Sequence, residues 1–111
     1  MLRITTSIIF VLFINVAHSV EWNWYEGMTV KSVRAQGLRD VISFITNEPI
    51  RNPGNCPNTD HYAIESSIAI SKEMLSILLS ASMAGKSIGV NIHSTECSFG
   101  RPKVLDVQIN T

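Results

Sequence analysis

A single amphipathic helix set among short alternating segments leaves this chain few ways to fold. Met74, Leu75, Leu78, Leu79 and Ser82 recur at helical spacing between Ser71 and Ala84 and form one stripe, widened by Ile77. Ser71 is placed to cap the helix and Glu73 lies in its first turn, where the helix dipole favours negative charge. Gly85 follows as a C-terminal cap, with Lys86 beside it. The stripe reads as core packing rather than as a membrane or cofactor surface.

The segments around the helix read as strands. Thr29 to Ala35 is the first, with Val33 and Ala35 on one face, and Gln36-Gly37 offers a turn into a second, Leu38 to Thr46. That second strand carries Ile42 and Phe44 on one face and Val41 and Ile45 on the other, so it is buried on both faces or pairs with another subunit. Asn47 to Asp60, with Pro49, Pro53-Gly54 and Pro57, is a loop; His61 to Ser66 is a short third strand with Tyr62 and Ile64 on one face. After the helix, Ser87 to His93 alternates, with Ile88, Val90 and Ile92 inward. A loop from Ser94 to Pro102 follows, and Lys103 to Asn110 alternates again, with Leu105, Val107 and Ile109 inward. Three strands, a helix and two strands is the order of a five-stranded OB-fold barrel, mainly β with one helix; a small α+β sandwich is the alternative.

Residues 1–19 read as a secretory signal: Arg3, an apolar run from Ile8 to Ile14 extended by Val16, then Ala17-His18-Ser19 with small residues where a signal peptidase reads. The run is shorter than the roughly 20 residues of a bilayer span, which disfavours an uncleaved anchor. Residues 20–111 are then one small domain with no membrane span. Without Arg3, eight Lys and Arg face nine Asp and Glu. A charge near −1 offers no electrostatic reason to bind nucleic acid or an anionic membrane. Cys56 and Cys97 are the two cysteines. In an oxidising compartment they read as a disulfide rather than as free thiols. His61 and His93 lack the short paired spacing of a zinc site, so neither metal nor cofactor is expected.

Trp22, Trp24 and Tyr25, between Val20 and Gly27, are either a terminal arm pinned by packing or a platform for a sugar or partner chain. With Thr29 and Ser32 they are the candidate ligand-binding residues. There is no nucleophile elbow, metal motif or phosphate loop, and Asp60-His61 near His93 is a weak basis for acid–base catalysis, so an enzyme is not expected.

Several stretches carry a family resemblance: Cys56 through Tyr62, Ser71-Lys72-Glu73-Met74-Leu75, Leu78-Leu79-Ser80-Ala81, Gly85-Lys86-Ser87-Ile88, and Cys97-Ser98-Phe99-Gly100-Arg101-Pro102. Together with the Glu21-Trp22 start, they resemble the B subunit of subtilase cytotoxin and its relatives. The resemblance implies an OB-fold, a homo-oligomeric ring of five (a pentamer) and binding to a cell-surface glycan, in a secreted or periplasmic protein. Thr29 and Ser32 lie in the region of that family's glycan-pocket hydroxyl but out of its register, and the segment between the helix and Cys97 is shorter than the family's. The alternative is a periplasmic protein-interaction or structural domain with a protein partner and no glycan ligand.

Overall fold

The computed structural model describes residues 22–111; the expected signal at residues 1–19 lies outside them. The described chain is mainly β with one helix. Its elements are β1 (Trp22–Met28), β2 (Val30–Gln36), β3 (Val41–Thr46), β4 (Tyr62–Glu65), α1 (Ser71–Ala84), β5 (Ile88–Ser98) and β6 (Arg101–Ile109). They form one six-stranded open sheet in the order β1-β5-β6-β4-β3-β2, with no ladder between β1 and β2. The pairs are antiparallel except β4 with β6, which is parallel.

The expected count of five strands is therefore corrected to six. The aromatic stretch, read as a packed terminal arm or a ligand platform, is a strand, because Trp and Tyr suit a pleated surface and β5 offers an edge for it to pair with. Only Thr29 separates β1 from β2, although the two lie at opposite ends of the sheet. Two irregularities flank that residue. Between Tyr25 and Met28 the register slips by one against β5, with Gly27 at φ 72°; between Val30 and Ser32 it slips by one against β3. Each bulge bends its strand and adds twist, and so the chain leaves one partner strand and joins another within a few residues.

Further boundaries differ from the sequence reading. β3 begins at Val41 rather than Leu38, because Gln36 pairs with Val41 and the chain from Gly37 to Asp40 makes the turn. Leu38 is then fully exposed at the hairpin tip. β5 runs on to Ser98, so Cys97 lies in a strand and not in a loop; only Phe99 and Gly100, at φ 50° and 75°, make the turn into β6. Two positive φ angles define the hairpin turn whose twist matches the flanking strands. In β6, Ile92 faces Val104 and Asn91 faces Asp106, so an extra residue at Leu105 shifts the alternation. Val104 takes the core position, and Leu105 is only half-buried.

The core is Met28, Phe44, Tyr62, Ile64, Ile88, Val90, Ile92 and Val104 from the sheet, closed by Met74, Leu78 and Ala81 of the helix. Phe44 and Tyr62 face each other across β3 and β4 with ring centroids 5.0 Å apart. β3 is buried on both faces within the single chain, with Ser43 and Phe44 both inaccessible. The helix has its expected limits but a rotated face. Ser71, Met74, Leu78 and Ala81 are buried, whereas Leu79 and Ser82 are exposed. A 3-4-3 spacing gives the narrow seam that fits against β2 and β6. Ile70 stands at the N-cap without a side-chain cap; Ser71 is the first helical residue, and its hydroxyl donates to the Ser66 carbonyl at 3.4 Å. Gly85 closes the helix at φ 64°, as expected.

The cysteines are joined, with Cα atoms 5.8 Å apart. The bond fastens the loop before β4 onto β5, and backbone and amide contacts complete the attachment. Asn52 Oδ1 accepts from the Cys56 amide at 2.8 Å while Asn52 Nδ2 donates to the Cys56 carbonyl at 2.9 Å. The Asn58 amide donates to the Gly100 carbonyl at 2.8 Å. No described helix is long and apolar enough to cross a membrane.

Candidate functional site

The five residues singled out from sequence are spread along the bend rather than gathered in one pocket. Trp22 pairs with His93 and Trp24 with Asn91; the side chain of Trp22 lies outside the described part of the chain. Tyr25, one residue on, points to the opposite face, packs against the core, and has the Arg51 guanidinium 5.4 Å from its ring centroid. Thr29 ties the bend down: its hydroxyl lies 2.9 Å from Glu48 Oε2 and accepts from Asn47 Nδ2 at 2.9 Å, and its carbonyl accepts from the Asn47 amide at 3.0 Å. Ser32 is exposed on β2, paired with Ile45.

Trp24 belongs to a built surface. Cross-strand register puts Trp24, Asn91 and Asp106 in one row over β1, β5 and β6. The indole is 43% exposed and its Nε1 donates to Glu26 Oε1. Beneath it is Gly89, where an added methyl would stand 2.6 Å from Trp24 Cζ2 and 2.8 Å from Glu26 Oε2. The missing side chain at position 89 thus lets the ring lie across β5. Asn91 Nδ2 donates to Asp106 Oδ2 at 2.8 Å, and Asn91 Oδ1 is buried with no hydrogen-bond partner among the described residues. Asn110 Nδ2 donates to Glu26 Oε2 at 2.8 Å, and Gln108 Nε2 to Asn110 Oδ1 at 3.3 Å. The result is an exposed aromatic ring bordered by two carboxylates and three amides. Such a surface can stack an apolar ring face while pairing with hydroxyl groups. Sequence reasoning found Trp24 but missed Gly89, Asn91 and Asp106; the outward alternation of β5 and β6 carried the signal for the last two.

A concavity of about 500 Å³ opens at the β2–β3 tip, apart from the Trp24 surface. Arg34, Gln36, Leu38, Arg39 and Arg101 are among its lining residues. Arg101 is 8% exposed and is gripped by Asp60: Nε and Nη2 donate to the two carboxylate oxygens at 3.0 and 3.1 Å. Hydrogen bonding from Arg101, opposed by burial and assisted by His61, lowers the Asp60 pKa to about 2. The third guanidinium nitrogen, Nη1, is buried and has no hydrogen-bond partner among the described residues. Sequence reasoning did not single out these arginines as a site, because they come from distant segments brought together only by folding.

The histidines have separate partners. His61 Nδ1 lies 3.2 Å from Asp60, while His93 Nδ1 accepts from the Glu96 amide at 2.9 Å and its Nε2 lies 3.5 Å from the Glu96 carboxylate. Among the described residues no group of three or more His, Cys, Asp and Glu is arranged to hold a metal ion. No family model, curated protein or solved structure matches this chain.

Proposed function

We propose that this chain is an exported, non-enzymatic binding module of OB-like fold that recognises a glycan, as the B subunits it resembles do. The OB-like reading takes β1 and β2 as halves of one strand bent at Thr29, which reduces six strands to five. It is supported by the one-residue joint, the parallel β4–β6 pair and the helix between β4 and β5. Export is supported by the disulfide together with the signal-like run from Arg3 to Ser19.

The observation that carries the glycan reading is the Trp24 surface. Sugar sites combine an aromatic platform with a few fixed polar groups. Here the ring rests over Gly89, with Asp106, Asn91 and Glu26 at its border. Trp24→Ala and Asp106→Ala are expected to abolish retention on a glycan array; Trp24→Ala should change the melting temperature little, whereas Asp106→Ala should lower it by roughly 4–8 °C because the buried Asn91 amide loses its acceptor. A parent protein that retains no glycan, or a Trp24→Ala variant that retains it unchanged, overturns the reading.

The helix favours assembly of several copies. Leu75, Leu79 and Met83 lie at i, i+4 and i+8 beside the buried seam, with Leu79 45% and Met83 89% exposed. An apolar flank of this kind suits a neighbouring chain, and the resemblance makes the assembly a ring of five. Light scattering on a sizing column is expected to give a mass near five chains. A monomer removes the multivalent ring and favours the alternative, a domain that meets a protein partner.

A further inference from the structure

We infer that the cleft at the β2–β3 tip is an oxyanion site that takes a phosphate or sulfate group, separate from the Trp24 surface. Three guanidinium groups line one concavity of about 500 Å³. Among the described residues, Arg34 and Arg39 make no ion pair, and the single carboxylate bound to an arginine of this cleft is Asp60 on Arg101. The cleft walls therefore carry about two uncompensated positive charges in a chain whose Lys and Arg equal its Asp and Glu, nine each. A concave low-dielectric wall concentrates such a field and raises the local concentration of anions.

The geometry of Arg101 argues against a merely solvated patch. Its Nε and Nη2 are locked by Asp60, which holds the guanidinium plane in place, while the buried Nη1 is left with an unspent donor. The plane that Asp60 locks is a fixed positive part of the cleft wall, facing the exposed Arg34 and Arg39, whose forks are free to take an oxyanion. Arginine forks match the oxygens of phosphate and sulfate better than a point charge does.

The rim indicates what is attached to that anion. Leu38, fully exposed, stands on the cleft wall beside the arginines. The group recognised is thus a monoester whose organic part lies against Leu38.

The test is an NMR titration of the oxidised chain at pH 6 and low temperature with inorganic phosphate and, separately, with phenyl phosphate, against sodium chloride at matched ionic strength. Saturable shifts at the Nε–Hε signals of the cleft arginines are expected for both phosphates and not for chloride. Phenyl phosphate is expected to bind several-fold tighter; equal affinities overturn the monoester assignment while keeping the oxyanion site. Arg34→Gln with Arg39→Gln is expected to weaken binding at least tenfold with the melting temperature unchanged, and Lys72→Gln on the helix to have no effect. Arg39→Gln alone, at the exposed tip, serves if the double variant does not fold. Linear shifts that chloride reproduces, or unchanged affinity in the arginine variants, overturn the site. Trp24→Ala is expected to bind phosphate like the parent, so failure of the glycan reading and failure of this one are told apart.

Discussion

Asp60 and Arg101 are 41 residues apart in the chain, and their pairing decides the chemistry of the β2–β3 cleft. The carboxylate titrates at about 2 in the folded chain instead of its ordinary 3.8. A depressed carboxylate stabilises the fold above its unfolded pKa, and the contribution disappears as pH falls from about 4 through about 2. Asp60→Asn should therefore lower the urea midpoint at pH 6 but narrow its deficit at pH 2.5, where the parent has lost most of the same contribution. An equal deficit at both pH values would show that the pair acts through packing alone. Tyr62 is a second residue whose role depends on a distant partner. Its hydroxyl accepts from the Arg51 amide at 2.6 Å, and burial raises its pKa. Tyr62→Phe keeps the ring against Phe44 but orphans that amide, at an expected cost of about 1 kcal/mol measured by urea unfolding. The apolar character of position 62 was readable in the strand pattern; the need for its hydroxyl was not, because Arg51 approaches from an irregular loop.

Elements with a regular period were legible, and those shaped by a neighbour were not. The helix limits and its glycine cap followed from spacing and from Gly85, while its buried face was rotated by the narrow contact with β2 and β6. The alternation of β5 from Ile88 to Ile92 was clear, yet Ser94 to Ser98 has no alternation and reads as loop. It is held as strand in part by Cys97 opposite Pro102 and Ser98 opposite Arg101. The turn that follows depends on Gly100, where φ is 75° and a methyl would meet Asn58 Nδ2 at 2.8 Å. Gly100→Ala should destabilise the chain by about 1–2 kcal/mol, from the left-handed backbone alone, with further loss if Asn58 is displaced. The urea midpoint measures it, and a neutral result would show that the turn can change type.

On the scale of the molecule, a sheet whose outer strands β1 and β2 pair on one side only among the described residues is stapled by one disulfide across a separation of 41 residues. Loop entropy assigns that bond about 4 kcal/mol, a large share of the roughly 5–15 kcal/mol that holds small domains folded. Cys56→Ser with Cys97→Ser should lose about that much in urea unfolding, with earliest amide exchange in the loop between β3 and β4. A loss under about 1 kcal/mol would show that the Asn52 and Asn58 contacts suffice to hold the loop. The balanced net charge conceals a division of the surface: Glu26 and Asp106 border Trp24, while arginines line the hairpin cleft.

From the sequence alone came the mainly β class, the single helix, the cysteine pair and the aromatic stretch that contains Trp24, because each depends on local spacing or on the composition of a short segment. The tertiary structure decided the sixth strand, the bend at Thr29, the ring of Trp24 over Gly89 and the convergence of Arg34, Arg39 and Arg101. Those depend on which edge is free to pair and on which distant side chains a bulge or a hairpin brings within hydrogen-bond reach, and local spacing carries no record of either.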